Sequence, residues 1–244
     1  MKIDVYSDFG CPFCYIGKRR LELALEQFSN KDKVTITYKS YELDPNAETN
    51  PDKTIHELLA GKYGMSVEKA KQSNENLANQ AAELGLTYRF DTMQPTNTFD
   101  AHRLAKYAEK QGKGKEMTER LLQAYFTDSL HIGDYETLTK LAVEVELDSA
   151  AVLDVLESTD YAKAVRGDEQ EAQQVGVQGV PFFVFNEKYA VSGAQPPDVF
   201  SEVIEKVWEE ENEQPILQTL NPGKSETTYC TGDGCEVDSG EAKG

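Results

Sequence analysis

Two cysteine pairs are the residues best suited to chemistry in this chain. Cys11 and Cys14 are separated by Pro12 and Phe13, and Cys230 and Cys235 by Thr-Gly-Asp-Gly. A Cys-x-x-Cys pair serves as metal ligands, as buried thiols or as a redox couple, and spacing alone does not choose among them. The setting of the first pair does. Cys11 follows KIDVYSDFG, whose first six residues alternate like a short strand, and it precedes a segment in which Ile16, Leu21, Leu25 and Phe28 carry helical spacing. A sulfur at that junction faces the unpaired N–H groups and positive dipole end of the helix, which favour the thiolate. Pro12 suits the first turn, where its missing N–H would have had no partner. Cys14 returns to the same face three residues on. The pattern predicts Cys11 as an exposed nucleophile that captures a substrate in a mixed disulfide, and Cys14 as the sheltered thiol that resolves it.

A zinc site would need four ligands in tetrahedral reach. The tail pair would have to complete that set from more than two hundred positions away, with a loose four-residue spacing. No metal is therefore expected.

The elements that must position the cysteines follow from patterning. Strand 2–7, a helix from Pro12 to Asn30 and an alternating strand over 34–43 make one βαβ unit, whose crossover is right-handed. Residues 53–62, 66–85, 98–111, 114–127, 135–146 and 149–175 then favour helices, with Ser66, Asp134 and Asp148 as N-caps. Strand character returns at PFFVF (181–185), followed by a hairpin around Asn186-Glu187 and a helix from Pro196-Pro197. The expected class is α/β: a split core, βαβ first and ββα last, over 1–52 and 176–220, an all-helical insertion over 53–175, and a flexible acidic, Cys-containing tail over 221–244.

Composition narrows the partners. With 25 Lys+Arg against 43 Asp+Glu the net charge is -18, a field that repels phosphate backbones and anionic lipid, so neither nucleic acid nor membrane is expected. No run approaches the roughly 18 apolar residues of a membrane span, and MKIDVYSDF does not read as a secretory signal. A cytoplasmic location is expected, where paired cysteines are more often catalytic than structural.

SDFGCPFCYIGKRRLE, PTNTFDAHRL, GVPFFVF and SGAQPPDVF together resemble the DsbA-type branch of the thioredoxin superfamily. Within it the chain is most similar to the FrnE-like members, relatives of 2-hydroxychromene-2-carboxylate isomerase and kappa-class glutathione transferase. The resemblance implies a thioredoxin-like fold for the split core over 1–52 and 176–220, a cis peptide before Pro181, facing the cysteines, and a Val180 backbone that pairs with extended substrate. From the residues alone, a trans proline opening an edge strand is the plainer reading. The resemblance places Pro12, Phe13, Val180 and Pro181 in a substrate groove, and it brings Asn97, His102 and Arg103 of PTNTFDAHRL near the cleft. Two potentially cationic side chains in a first helical turn oppose the dipole, which suits a cleft needing positive charge. His56 and His131 read as surface or loop residues.

The expected activity is protein thiol–disulfide exchange, without a bound cofactor and with the thioredoxin or glutathione system as redox partner. A strongly oxidising pair would be held as dithiol by the cytosolic pool, so net oxidation would belong to oxidative stress. Cys230 and Cys235, around a sequence built for a turn, suggest a redox relay to the first pair. A glutathione-dependent isomerase and a redox-linked binding adaptor remain open. The isomerase relatives carry serine at the position matching Cys11, which favours disulfide exchange here.

Overall fold

A computed structural model of the chain describes residues 1–212 and, beyond them, only the backbone of 230–231 and 234–235. Met1–Glu211 form one compact unit and Asn212–Gly244 a second.

Strand β1 (Lys2–Ser7) is buried from Ile3 onward, as expected of a central strand covered on both faces. Parallel β2 (Thr35–Ser40) lies on one side of it and antiparallel β3 (Phe182–Phe185) on the other. Strand β4 (Tyr189–Ser192) completes the order β2-β1-β3-β4. The parallel pair requires a crossover, and helix α1 (Pro12–Gln27) supplies it. Asn186 and Glu187, both at positive φ (47° and 57°), turn β3 into β4, and Lys188 N–H donates to the Phe185 carbonyl at 3.0 Å. That is type I′ geometry, which matches the twist of the strands it joins. Helix α9 (Pro197–Asn212) lays Phe200, Ile204 and Val207 against Ile3, Val5, Phe183 and Phe185. This is the split α/β core that the patterning predicts, in the thioredoxin-like arrangement that the resemblance implies.

Seven helices lie between β2 and β3: α2 (Ile55–Tyr63), α3 (Val67–Ala82), α4 (Phe99–Lys110), α5 (Gly114–Phe126), α6 (Tyr135–Glu144), α7 (Ser149–Glu157) and α8 (Ala162–Gln174). The three expected caps form: Ser66, Asp134 and Asp148 accept from Lys69, Thr137 and Ala151 N–H at 3.2, 2.8 and 2.9 Å. One expectation is corrected. The single helix over 149–175 is two, α7 and α8, because Arg103 of α4 donates to the carbonyls of Val155, Leu156, Ser158 and Asp160 and so takes the place of further helical turns. Tyr161, at φ 61°, restarts the chain.

Two apolar cores meet on α1. Its N-terminal half gives Tyr15 and Ile16 to a core shared with the intervening helices, and its C-terminal half gives Leu21, Ala24 and Leu25 to the sheet and α9. The outer edge of β2 is closed by side chains. Lys106 donates to the Tyr38 carbonyl (2.9 Å), Asp168 accepts from Ser40 N–H (2.8 Å), and the two are ion-paired at 2.6 Å.

Candidate active site

Cys11 is the N-cap of α1 (φ −96°, ψ 111°) and Pro12 is the first helical residue, as their local sequence dictates. The Cys11 Sγ stands 3.6 Å from the Val180 carbonyl oxygen, and the Val180–Pro181 peptide is cis. Gly17 permits this closeness. A Cβ on it would stand 2.9 Å from Pro181 Cγ and 3.1 Å from Phe183 Cζ, so any larger residue drives α1 and the Pro181 ring apart. No local feature of the sequence marks Gly17 for this role.

Both cysteines are buried, Cys11 at 3% and Cys14 at 2% exposure. The expectation of an exposed nucleophile is thereby corrected: the packing that holds the N-terminus of α1 against the Val180–Pro181 segment also covers its cap residue. Phe13, by contrast, is 48% exposed at the same turn. Burial pushes the Cys14 thiol well above its ordinary range and the Cys11 sulfur adds to the effect, while the Ser7 hydroxyl and Asp8 N–H offset it only in part. Cys14 therefore keeps its proton near neutrality.

Asp8, three positions before Cys11, anchors the loop that leads to it. Its Oδ1 accepts from Gly10 N–H (3.1 Å) and Thr98 Oγ1 (2.8 Å) and faces His102 Nε2 at 3.4 Å, while Oδ2 accepts from Leu43 N–H (2.8 Å). Burial opposes the charge, but His102 and the Leu43 and Gly10 N–H groups outweigh it and hold the carboxyl below its usual range. One carboxylate thus ties the loop before Cys11 to α4 and to the segment after β2. The only local signal is Asp two residues before Gly, a common turn pattern.

The PTNTFDAHRL residues divide. His102 is buried against Asp8 and Phe9, with ring centroids 4.7 Å apart, so it reaches the cysteine loop from beneath. Asn97 donates to the Pro45 and Ala47 carbonyls (3.3 Å each) and accepts from Phe99 N–H (2.8 Å), so it secures the segment after β2. Arg103 does not shape a groove. It is 3% exposed, pairs with Asp100 at 2.7 Å and spends its other donors on the end of α7. His56 is likewise no surface residue, being buried between Asn74 (3.0 Å) and Asp91 (3.1 Å).

Among the described residues, no group of three or more His, Cys, Asp or Glu is placed to hold a metal ion, and no helix is long and apolar enough to cross a membrane. In the tail, strand β5 (Cys230–Thr231) pairs antiparallel with β6 (Gly234–Cys235), which sets Cys230 directly opposite Cys235. The expected flexibility of 221–244 otherwise concerns positions outside the described residues.

A buried dithiol at a helix N-terminus, facing a Val–cis-Pro segment on a four-stranded mixed sheet, defines a thioredoxin-like thiol site. The family model for the DsbA-like thioredoxin domain matches residues 2–205, and the chain belongs to this family of thiol oxidoreductases. The uncharacterized protein YwbO of Bacillus subtilis (strain 168) is 31% identical over 204 residues, covering 83% of this chain and 94% of its own length. The crystal structure of a probable DsbA oxidoreductase, SCO1869 from Streptomyces coelicolor, superposes with a TM-score of 0.83 at 38% identity, over 97% of this chain and 99% of that one. A 2-hydroxychromene-2-carboxylate isomerase shares the fold at 17% identity, with a TM-score of 0.67 over 86% of this chain and 98% of its own.

Proposed function

We propose that the chain is a protein thiol–disulfide oxidoreductase in which Cys11 is the nucleophile and Cys14 the resolving thiol. The observation that carries this reading is the Cys11 sulfur at the cap of α1, 3.6 Å from the Val180 carbonyl, with a protonated Cys14 in the first turn behind it. The Cys11 thiolate attacks one sulfur of a client disulfide, forms the mixed disulfide and expels the other client sulfur as thiolate. Cys14 then loses its proton and attacks the Cys11 sulfur, which closes the Cys11–Cys14 disulfide and releases the second client thiol. Two electrons pass from the dithiol to the client, and the same steps run backward when the client is oxidised. Val180, Pro12, Phe13 and Pro181 frame the point of attack. The setting we propose is cytoplasmic, with protein thiols as clients and the thioredoxin or glutathione pool as electron partner. An isomerase reading draws on fold likeness alone, and the cysteine at position 11 weighs against it.

Insulin reduction and the refolding of a scrambled disulfide protein test the proposal. Cys11→Ser is expected to abolish both activities, and Cys14→Ser to accumulate a client–Cys11 mixed disulfide visible by intact mass. Activity that survives both substitutions would remove the redox assignment.

A further inference from the structure

Tyr88 lies between α3 and α4, outside every motif of the redox site, yet its hydroxyl reaches the helix that carries the cysteines. Tyr88 Oη donates to the Pro12 carbonyl at 2.7 Å across 76 positions of chain, and Ile16 N–H faces the Tyr88 hydroxyl. Pro12 and Ile16 are the i and i+4 residues of the first rung of α1. The hydroxyl therefore stands in that rung, held there by its ring, which is 8% exposed and packs on Phe126 (4.8 Å) and edge-on to Phe90 (5.6 Å). Burial, reinforced by Cys11, keeps the phenol above its ordinary range, so its proton is always there to donate.

The Pro12 carbonyl and the Phe13 N–H are two ends of one peptide group. An N-cap side chain accepts from the second or third helical N–H, here Phe13 and Cys14. The Cys14 N–H is already given to the Cys11 carbonyl at 3.0 Å, and the Cys11 thiol, turned to the Val180 carbonyl, makes no cap bond of its own. Phe13 N–H is therefore the donor left to the sulfur once it is ionised. A hydrogen bond accepted at the carbonyl polarises the amide and strengthens its N–H as a donor. We propose that Tyr88 is a positioning residue for the Cys11 thiolate: its bond to the Pro12 carbonyl fixes the first turn of α1 and sharpens Phe13 N–H as the donor to sulfur. The inference rests on Cys11 being the nucleophile. It makes the helical segment between β2 and β3 a partner in the redox chemistry through one hydroxyl.

Alkylation of Cys11 by iodoacetamide, followed across pH by intact mass in a Cys14→Ser parent, tests this. Adding Tyr88→Phe, which keeps the ring, is expected to slow the reaction about twofold on the acid limb and to displace the profile toward higher pH. Difluorotyrosine at position 88, a stronger donor of nearly the same shape, is expected to displace it the other way. Tyr15→Phe is the control, because that hydroxyl donates to Glu119 of α5 (2.7 Å) and not to the first turn. Coincident profiles for the parent and Tyr88→Phe, or an equal displacement in Tyr15→Phe, overturn the proposal. A parent whose Cys11 never reacts overturns the nucleophile assignment, and this inference with it.

Discussion

Asp8 is a single carboxylate on which four donors converge, and its removal bears on both stability and chemistry. In Asp8→Asn the amide NH2 would confront N–H donors inside the fold. The expected loss is roughly 2–4 kcal/mol, read from urea unfolding. The pH dependence follows from the sign of the shift. The folded carboxyl titrates below its unfolded value of about 3.9, so its stabilisation is complete above that value and is lost as pH falls through the folded one. Wild-type unfolding midpoints should decline below about pH 4, and Asp8→Asn should lack that part of the decline. An unchanged acid slope in the variant would show that the stabilisation lies elsewhere. Cys11 and Cys14 were legible because a cap position and a helical repeat are local facts. Asp8 and Tyr88 were not, because three of the four donors on Asp8 sit 35 to 94 positions away and the partner of Tyr88 sits 76 away. Nothing in a short window marks a residue whose work is done in another element.

Among the elements, strands, caps and most helix bounds followed from periodicity, since each is a balance of backbone and side chain within a dozen residues. The exception is the junction of α7 and α8. The apolar pattern runs through it, and the break is enforced by a guanidinium from α4. Arg103→Met, which keeps the apolar stem but withdraws the donors, leaves those carbonyls and Asp100 without their partner. It is expected to cost about 3–5 kcal/mol and to raise amide exchange first at the end of α7. Exchange rising uniformly over the whole chain, with no local excess, would argue against this role. The same side chain shows why first-turn cations are a poor guide to clefts. The misfit with the helix dipole is real, but a neighbouring helix end answers it.

For the molecule as a whole, α1 is where two cores join, so the cysteines sit at a seam and not at the edge of a lone small domain. The fold class was readable because βαβ and ββα bracket a run of helices. The depth of the sulfurs was not, because burial is decided by segments that meet only in three dimensions. The tail adds a second cysteine pair whose backbone register sets Cys230 against Cys235. We propose that this pair exchanges electrons with Cys11 and Cys14. Replacing both tail cysteines by serine should then change the rate at which the first pair is reduced by dithiothreitol, measured by stopped-flow fluorescence. Equal rates would dismiss the exchange.

The side-chain seal along β2 carries a consequence for crowding and storage. With Lys106 and Asp168 already occupying the Tyr38 carbonyl and the Ser40 amide, that border offers a poor template on which another polypeptide could stack ribbon to ribbon. Self-assembly into fibrils, if provoked, would have to begin at the opposite margin of the sheet, where β4 ends the order and Ala190 and Ser192 are exposed.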